Sequence, residues 1–384
     1  MTDEDFPIHE PDFDSAALRL TVDLNAVVNN WRSMDRLSGA ARAGAVVKTD
    51  AYGMGIEDCG EALHHAGARD FFVMTAEEGA TLRTVAPQAR IFVLAGIWPG
   101  MEPLFFENDL VPVVASYEQL THFMAVLADY GPYPCALQVD TGFNRLGLTL
   151  EEALDLADDS AMPQAFSPVL VMSHLMCGDV AGHPQNRVQL ERFRTVASAF
   201  EGVEASLAAS GGIAMGSDYH FDLTRPGISI FGESGGAAIP LPLQPVAKAE
   251  ARILQVREAK AGECVSYGAH TVLTRDSLIA IAAVGYGDGY PRSLSLSGDK
   301  PVAEAFLHGA RVPVLGRLTM DMTMFDVTDL GAKAVRSGDY VELFGPNMPV
   351  WDLARAADTI PYEIFTRLGL RYQRAYETVE LEIG

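Results

Sequence analysis

A lysine that closes a buried apolar run is a residue from which carbonyl chemistry can be built. Lys48 stands in that place, at the end of AVV and the head of KTDAYGMG. Out of water an ammonium loses ground to its neutral amine, and only the neutral amine attacks an aldehyde to form a Schiff base. The same position suits a lysine that snorkels its charge to a rim, so position alone leaves both readings open. Asp140 follows LQV and His174 follows VLVMS, so two more polar side chains also end apolar runs. A histidine at a strand end is as readily satisfied structure as chemistry. No spacing of His, Cys, Asp and Glu forms a metal-ligand set, and Cys59, Cys135, Cys177 and Cys264 are scattered, as reduced and mostly buried thiols are.

The elements that position these residues follow from the hydrophobic pattern. From residue 45 to about 230, short β-type runs (AGAVVK, DFFVMT, IFVLAG, VPVVAS, CALQVD, PVLVMSH) alternate with amphipathic stretches such as SYEQLTHFMAVLADY and QNRVQLERFRTVASAFEG. Six or more such units predict an α/β fold, a (β/α)8 TIM-type barrel, whose active-site face is the rim where strands end. After Gly236 the texture changes. PLPLQP at 240–245 reads as a linker, and beyond it ARILQVR, LIAIAAV, RVPVLG and DYVELFG predict a mostly β C-terminal domain. The expected division is 1–240 for the barrel and 241–384 for the β domain, with LRLTVDL at 18–24 a candidate to pair with the latter.

At 384 residues the chain is long enough for two domains, and its 48% apolar composition supports two cores. A net charge of -23 argues against nucleic acid and anionic membrane as partners. No apolar run reaches the roughly 18 residues of a membrane span. The acidic start, MTDEDFPIHEPDFDS, lacks the basic and apolar regions of a secretory signal, so the cytoplasm is the expected location.

KTDAYGMG resembles the cofactor-lysine motif of the alanine racemases, fold type III pyridoxal phosphate enzymes. The family's other landmarks recur in order: VDTGFNRLG at 139–147, SHL at 173–175, RPGISIFG at 225–232 and VSYG at 265–268, then VGYGDGYPR at 284–292, GRLTMDM at 316–322 and PYEIFTRLG at 361–369. The resemblance implies pyridoxal 5'-phosphate bound as a Schiff base to Lys48, and a homodimer with active sites shared between subunits. It implies racemisation of alanine by two acid/base groups, Lys48 and Tyr267, the tyrosine reaching the partner subunit's cofactor from the opposite face. A proton taken from one face of Cα must be replaced on the other, which is why two groups are needed.

The resemblance also implies that Arg225 contacts the pyridine nitrogen and that His174 holds Arg225 in place. A guanidinium keeps its proton, so the ring would be a poorer electron sink and transamination would be discouraged. Tyr52, Ser210, Gly227, Ile228 and Tyr362 match the phosphate cradle. Arg145 matches the arginine near the cofactor's phenolic oxygen, and the Met320 amide the site of the substrate carboxylate. Asp179, Tyr286, Arg292 and Arg317 match positions lining the entry channel. By the same resemblance the enzyme supplies D-alanine for peptidoglycan or degrades it.

Two residues depart from the family pattern. Gln138 stands where many relatives carry a lysine that becomes carbamylated; a glutamine forms no carbamate, though its carbonyl can accept a hydrogen bond from Arg145. Ala209 stands where asparagine is common. Other readings stay open: a racemase of wider tolerance, including serine or lysine, which a bulky Tyr362 disfavours; a pyridoxal phosphate carrier; or a decarboxylase of the same two-domain type. A cofactor-free barrel hydrolase would need paired carboxylates or a metal cluster at the rim, and the sequence offers no metal-ligand set.

Overall fold

The computed structural model describes residues 12–159, 166–295, 302–331 and 333–378. The chain divides into two compact units. One is Leu24–Pro245; the other joins the strand before Leu24 to the chain from Val246 onward.

In the first unit seven parallel strands lie side by side in chain order. They begin with Ala45–Val46, Asp70–Val73, Arg90–Val93 and Leu110–Val114, and continue with Tyr133–Gln138, Phe166–Met172 and Glu204–Ser206. The short strand Leu223–Thr224 closes the ring. On one side the Asp222 and Arg225 N–H groups donate to the Ala205 and Ala208 carbonyls. On the other, Arg42, Gly44 and Val46 donate to the carbonyls of Asp222, Thr224 and Pro226. The expected barrel is therefore present. DFFV and LVPVV are buried at every position, as strands covered on both faces must be. Gly44 allows the first strand to approach the second, since a Cβ there would lie 2.9 Å from the Asp70 carbonyl oxygen.

Helices Ala76–Val85 and Leu150–Asp158 both open with capping boxes, Thr75 with Glu78 and Thr149 with Glu152, and Ser116 caps Tyr117–Tyr130. Together with Ile56–Ala66 and Pro184–Ala199 they supply the amphipathic stretches between strands.

The second unit is mostly β, as expected. Leu18–Asp23, with every second residue buried, runs antiparallel to the long strand Ala247–Ala259 and parallel to Tyr372–Glu377. The long strand also pairs with Tyr340–Phe344 and, past a bulge near Ile253, with Ser277–Ala282. Ser277–Ala282 pairs in turn with Thr323–Asp326. A hairpin joins Glu304–Leu307 to Ala310–Pro313 through His308 and Gly309, both at positive φ as a tight turn requires. Helices Val350–Ala357 and Pro361–Thr366 complete this unit.

Candidate active site

Every barrel residue singled out by sequence lies just past the C-terminal end of a strand, on one rim. Lys48 follows Ala45–Val46, Arg145 follows Tyr133–Gln138 and His174 follows Phe166–Met172. Ser210 follows Glu204–Ser206, and Arg225, Gly227 and Ile228 follow Leu223–Thr224. Lys48 is half-buried, and its pKa falls below the usual lysine value. Burial is the main cause and the nearby Arg145 charge adds to it, while Glu78 pulls the other way. The amine is thereby biased toward its nucleophilic form.

The chain does not continue from Lys48 as an ordinary loop. Thr49, Asp50, Ala51 and Tyr52 all have φ between 50° and 57°, a full turn of left-handed helix without a glycine, and Gly53 at φ 83° ends it. The Asp50 carboxylate accepts the Ile56 N–H at 2.8 Å, and Glu78 accepts the Thr49 and Asp50 N–H groups. The turn sets the buried Tyr52 ring 4.9 Å from that of Phe231. No residue in TDAY announces this conformation, and Glu78 was equally hidden in an ordinary capping sequence.

Arg225 is buried. Its guanidinium donates to the Ser206 hydroxyl, to the Ser173 carbonyl, and to the Leu207 carbonyl at 3.4 Å. Burial lowers its pKa, yet a guanidinium starts so high that it remains charged near neutrality. His174 is pushed down to about 3, first by burial and then by the positive charges of Arg225, Arg145 and Lys48, so it is neutral. Among the described residues no hydrogen bond joins His174 to Arg225; the two serines and the Leu207 carbonyl hold the arginine. Ser206 ends the strand Glu204–Ser206 on the same rim, and nothing in its sequence spacing marks it for this role.

Ser210 opens the short helix Ser210–Ala214, and its hydroxyl accepts the Gly227 N–H at 3.1 Å and the Ser229 N–H at 3.4 Å. The buried Ile228 N–H meets no acceptor among the described residues. A Cβ at Gly227 would lie 2.3 Å from the Tyr52 hydroxyl, and one at Gly211 would strike the Gly178 carbonyl oxygen at 2.1 Å. Hydroxyls, an available N–H and small residues thus converge on one spot, which fits a phosphate group. The Gly178 contact also brings the exposed Asp179 loop against Ser210–Ala214. Arg145 is exposed, its guanidinium 4.1 Å over the Phe143 ring and its N–H held by Asp140 at 3.1 Å. Among the described residues the Gln138 side chain makes no hydrogen bond to it.

The second unit carries the remaining candidates and joins four of them in two pairs. Tyr267 is 72% exposed on a tight loop whose neighbours Ser266, Gly268 and Ala269 all have positive φ. The Ser266 hydroxyl donates to the Arg317 carbonyl at 2.6 Å, and a Cβ on Gly268 would lie 3.0 Å from an Arg317 guanidinium nitrogen. Tyr286 and Met320 are joined through backbone. Tyr286 N–H donates to Thr319 at 3.1 Å and Gly287 N–H to Met320 at 2.9 Å, an approach that Gly285 permits. The Met320 N–H itself has no acceptor among the described residues. Arg292 begins the turn Arg292–Leu294, and Tyr362 is the second residue of Pro361–Thr366. Among the described residues no group of His, Cys, Asp and Glu could hold a metal ion. Nor is any helix there long and apolar enough to cross a membrane.

Residues 22–235 match the family described as "Alanine racemase, N-terminal domain", and residues 246–376 match "Alanine racemase, C-terminal domain". The chain is 60% identical to "Alanine racemase, biosynthetic" of Agrobacterium fabrum, over 98% of this chain and 99% of that protein. It is 57% identical to "Alanine racemase" of Rhizobium meliloti, over 96% and 99%. Among solved structures, an alanine racemase from Bartonella henselae "with covalently bound pyridoxal phosphate" superposes with a TM-score of 0.88 at 35% identity, over 94% of this chain and all of that one.

Proposed function

The chain belongs to the alanine racemase family, and from that premise we propose that it interconverts L- and D-alanine with pyridoxal phosphate covalently held by Lys48. The observation that carries this reading is the rim itself: a lysine with a lowered pKa, a buried arginine and a phosphate-fitting pocket on neighbouring strand ends of one barrel. When bound, pyridoxal phosphate supplies electron withdrawal from the alanine Cα, which makes its proton removable.

Lys48 Nζ holds the cofactor and moves a proton on one face of Cα. Tyr267 Oη moves the proton on the other face, in the active site of the partner subunit. The protein therefore works as a homodimer, and the exposure of Tyr267 in a single chain supports that assignment. Arg225 would offer a guanidinium N–H to the pyridine nitrogen of the bound cofactor and, keeping its own proton, would leave that nitrogen unprotonated. His174, neutral beside it, adds no charge. Tyr52, Ser210, Gly227 and Ile228 would hold the phosphate; the family pattern assigns Tyr362 to the same phosphate, and Arg145 and the Met320 N–H to the substrate carboxylate. Asp179, Tyr286, Arg292 and Arg317 line the way in. The four cysteines are free thiols, in keeping with the reducing cytoplasm as the compartment. We place the enzyme on the side of D-alanine supply, as the name of the Agrobacterium relative suggests.

The test mixes purified protein, or its Lys48→Ala variant, with pyridoxal phosphate and L-alanine. Cofactor absorbance and chiral chromatography are the readouts. Wild type is expected to show the band of lysine-linked cofactor and to approach a racemic mixture, and the variant to do neither. A band without D-alanine would remove the racemase assignment and leave a carrier or decarboxylase.

A further inference from the structure

A left-handed turn of four residues with no glycine needs something to hold it. An ordinary capping box uses its glutamate to satisfy the helix N-cap, and Glu78 does so: Oε2 accepts the Met74 and Thr75 N–H groups at 2.8 and 3.4 Å, while the Thr75 hydroxyl accepts the Glu78 N–H. Its other oxygen is turned on a different segment. Oε1 accepts the Thr49 N–H at 2.5 Å and the Asp50 N–H at 3.2 Å. Thr49 and Asp50 are exposed, so water could have satisfied both groups in many backbone conformations. A carboxylate fixed by a helix start selects one.

We propose that Glu78 is a positioning residue of this active site. Its carboxylate clamps the turn Thr49–Tyr52 to the start of helix Ala76–Val85, and so aims Lys48 at one end and Tyr52 at the other while keeping a negative charge near the Lys48 nitrogen. That charge opposes the loss of the lysine's proton caused by burial and Arg145. The proposal rests on the reading of Lys48 as the cofactor lysine.

The experiment compares wild-type holoenzyme with Glu78→Gln and Glu78→Ala, and with Glu77→Gln as a surface control. Three quantities are read: the pH midpoint of the lysine-linked cofactor's absorbance, the rate of cofactor loss on dilution, and hydrogen exchange of the Thr49 and Asp50 amides. A cationic nitrogen that loses a nearby carboxylate deprotonates more easily, so both Glu78 variants should move the midpoint to lower pH by about half a unit or more. Glu78→Ala should release cofactor about 10-fold faster, the equivalent of one lost charge-assisted bond. The two amides should be protected in wild type and exchange faster in both variants, with Glu77→Gln unchanged throughout.

Variants with wild-type midpoint and exchange overturn the proposal. Should neither variant fold, exchange in wild type alone decides: unprotected amides at 49 and 50 overturn the clamp and protected ones uphold it. If wild type shows no band of lysine-linked cofactor, the reading of Lys48 fails, and the exchange data still report on the clamp.

Discussion

Gly227→Ala tests the phosphate cradle through a single methyl group. The new Cβ would lie 2.3 Å from the Tyr52 hydroxyl oxygen, 3.3 Å from Cζ of the same ring and 3.4 Å from Cβ of Val46. Only the first contact is impossible, and relieving it requires the hydroxyl to retreat by about 1 Å. Tyr52 has little room to yield, since its ring is buried against Phe231 and its backbone is the last residue of the left-handed turn. The hydroxyl should therefore lose its place at the phosphate. A hydrogen bond to a charged group is worth about 1.5–3 kcal/mol, so cofactor affinity should fall about 10- to 150-fold. The assay is the equilibrium Kd for pyridoxal phosphate, with Tyr52→Phe measured beside it. That substitution removes the hydroxyl and most of the clash together, so the double variant should bind no worse than Tyr52→Phe alone. Wild-type affinity in Gly227→Ala, or a double variant that loses the full sum, would refute the reasoning.

At the opposite face of the barrel, Arg42, Asp70, Arg90 and Glu204 each open a strand. Buried Asp70 bonds Arg90 at 2.6 Å and Arg42 at 3.4 Å, and both arginines reach Glu204. Asp70→Asn should cost about 1–3 kcal/mol, because both arginines are partly exposed and can turn to water, and should leave kcat unchanged; calorimetry with a rate assay checks both, and a lost kcat with an intact melt would contradict it. His174 has a folded pKa of about 3 against an ordinary 6.5, so the unfolded chain binds the extra proton and stability declines as pH falls from 6.5 toward 3. His174→Gln should flatten that part of a stability-versus-pH curve, and an unchanged slope would assign it to other groups. Gln138 cannot carry a carbamate, so peptide mass spectrometry should find no carbon dioxide adduct there and activity should not respond to bicarbonate; a bicarbonate-dependent rate would point to another modified residue.

The barrel was legible because its strands and helices differ in period and in punctuation. LVPVV is apolar throughout and SYEQLTHFMAVLADY is amphipathic, and both segments form the expected element at nearly the expected bounds. LRLTVDL alternates cleanly and reads as a strand, but its partners lie more than two hundred residues away in Ala247–Ala259 and Tyr372–Glu377, and no local signal specifies them. The rim rule placed Lys48, Asp140 and His174 at strand ends, while Arg225 was implied by the resemblance alone. It did not show that Ser173 and Ser206 hold Arg225, since a serine at a strand end has no distinctive spacing. The turn Thr49–Tyr52 was the least legible feature. Thr, Ala and Tyr avoid the left-handed region, so local propensity points away from what the fold imposes.

That conflict has an energetic consequence that can be measured. Each non-glycine residue in left-handed helix costs about 1–2 kcal/mol, so four together store on the order of 4–8 kcal/mol, comparable with the net stability of a domain. Strain of this size persists only where the surroundings over-determine it. The Glu78 carboxylate, the Asp50–Ile56 bond and the burial of Ala51 and Tyr52 supply that constraint. Thr49 is where strain can be relieved most cleanly: it is β-branched, exposed and at φ 54°, so its side chain buries little, and its N–H would still reach Glu78 after substitution. Thr49→Gly should therefore stabilise the protein, against the usual cost of a glycine, by about 1 kcal/mol and so raise Tm by about 2–4 °C. The unfolded chain gains freedom as well, which trims the benefit but does not reverse it while the strain exceeds about 1 kcal/mol. A lowered Tm would mean that the turn is held without strain at Thr49, and that its conformation owes less to its clamps than to its own residues.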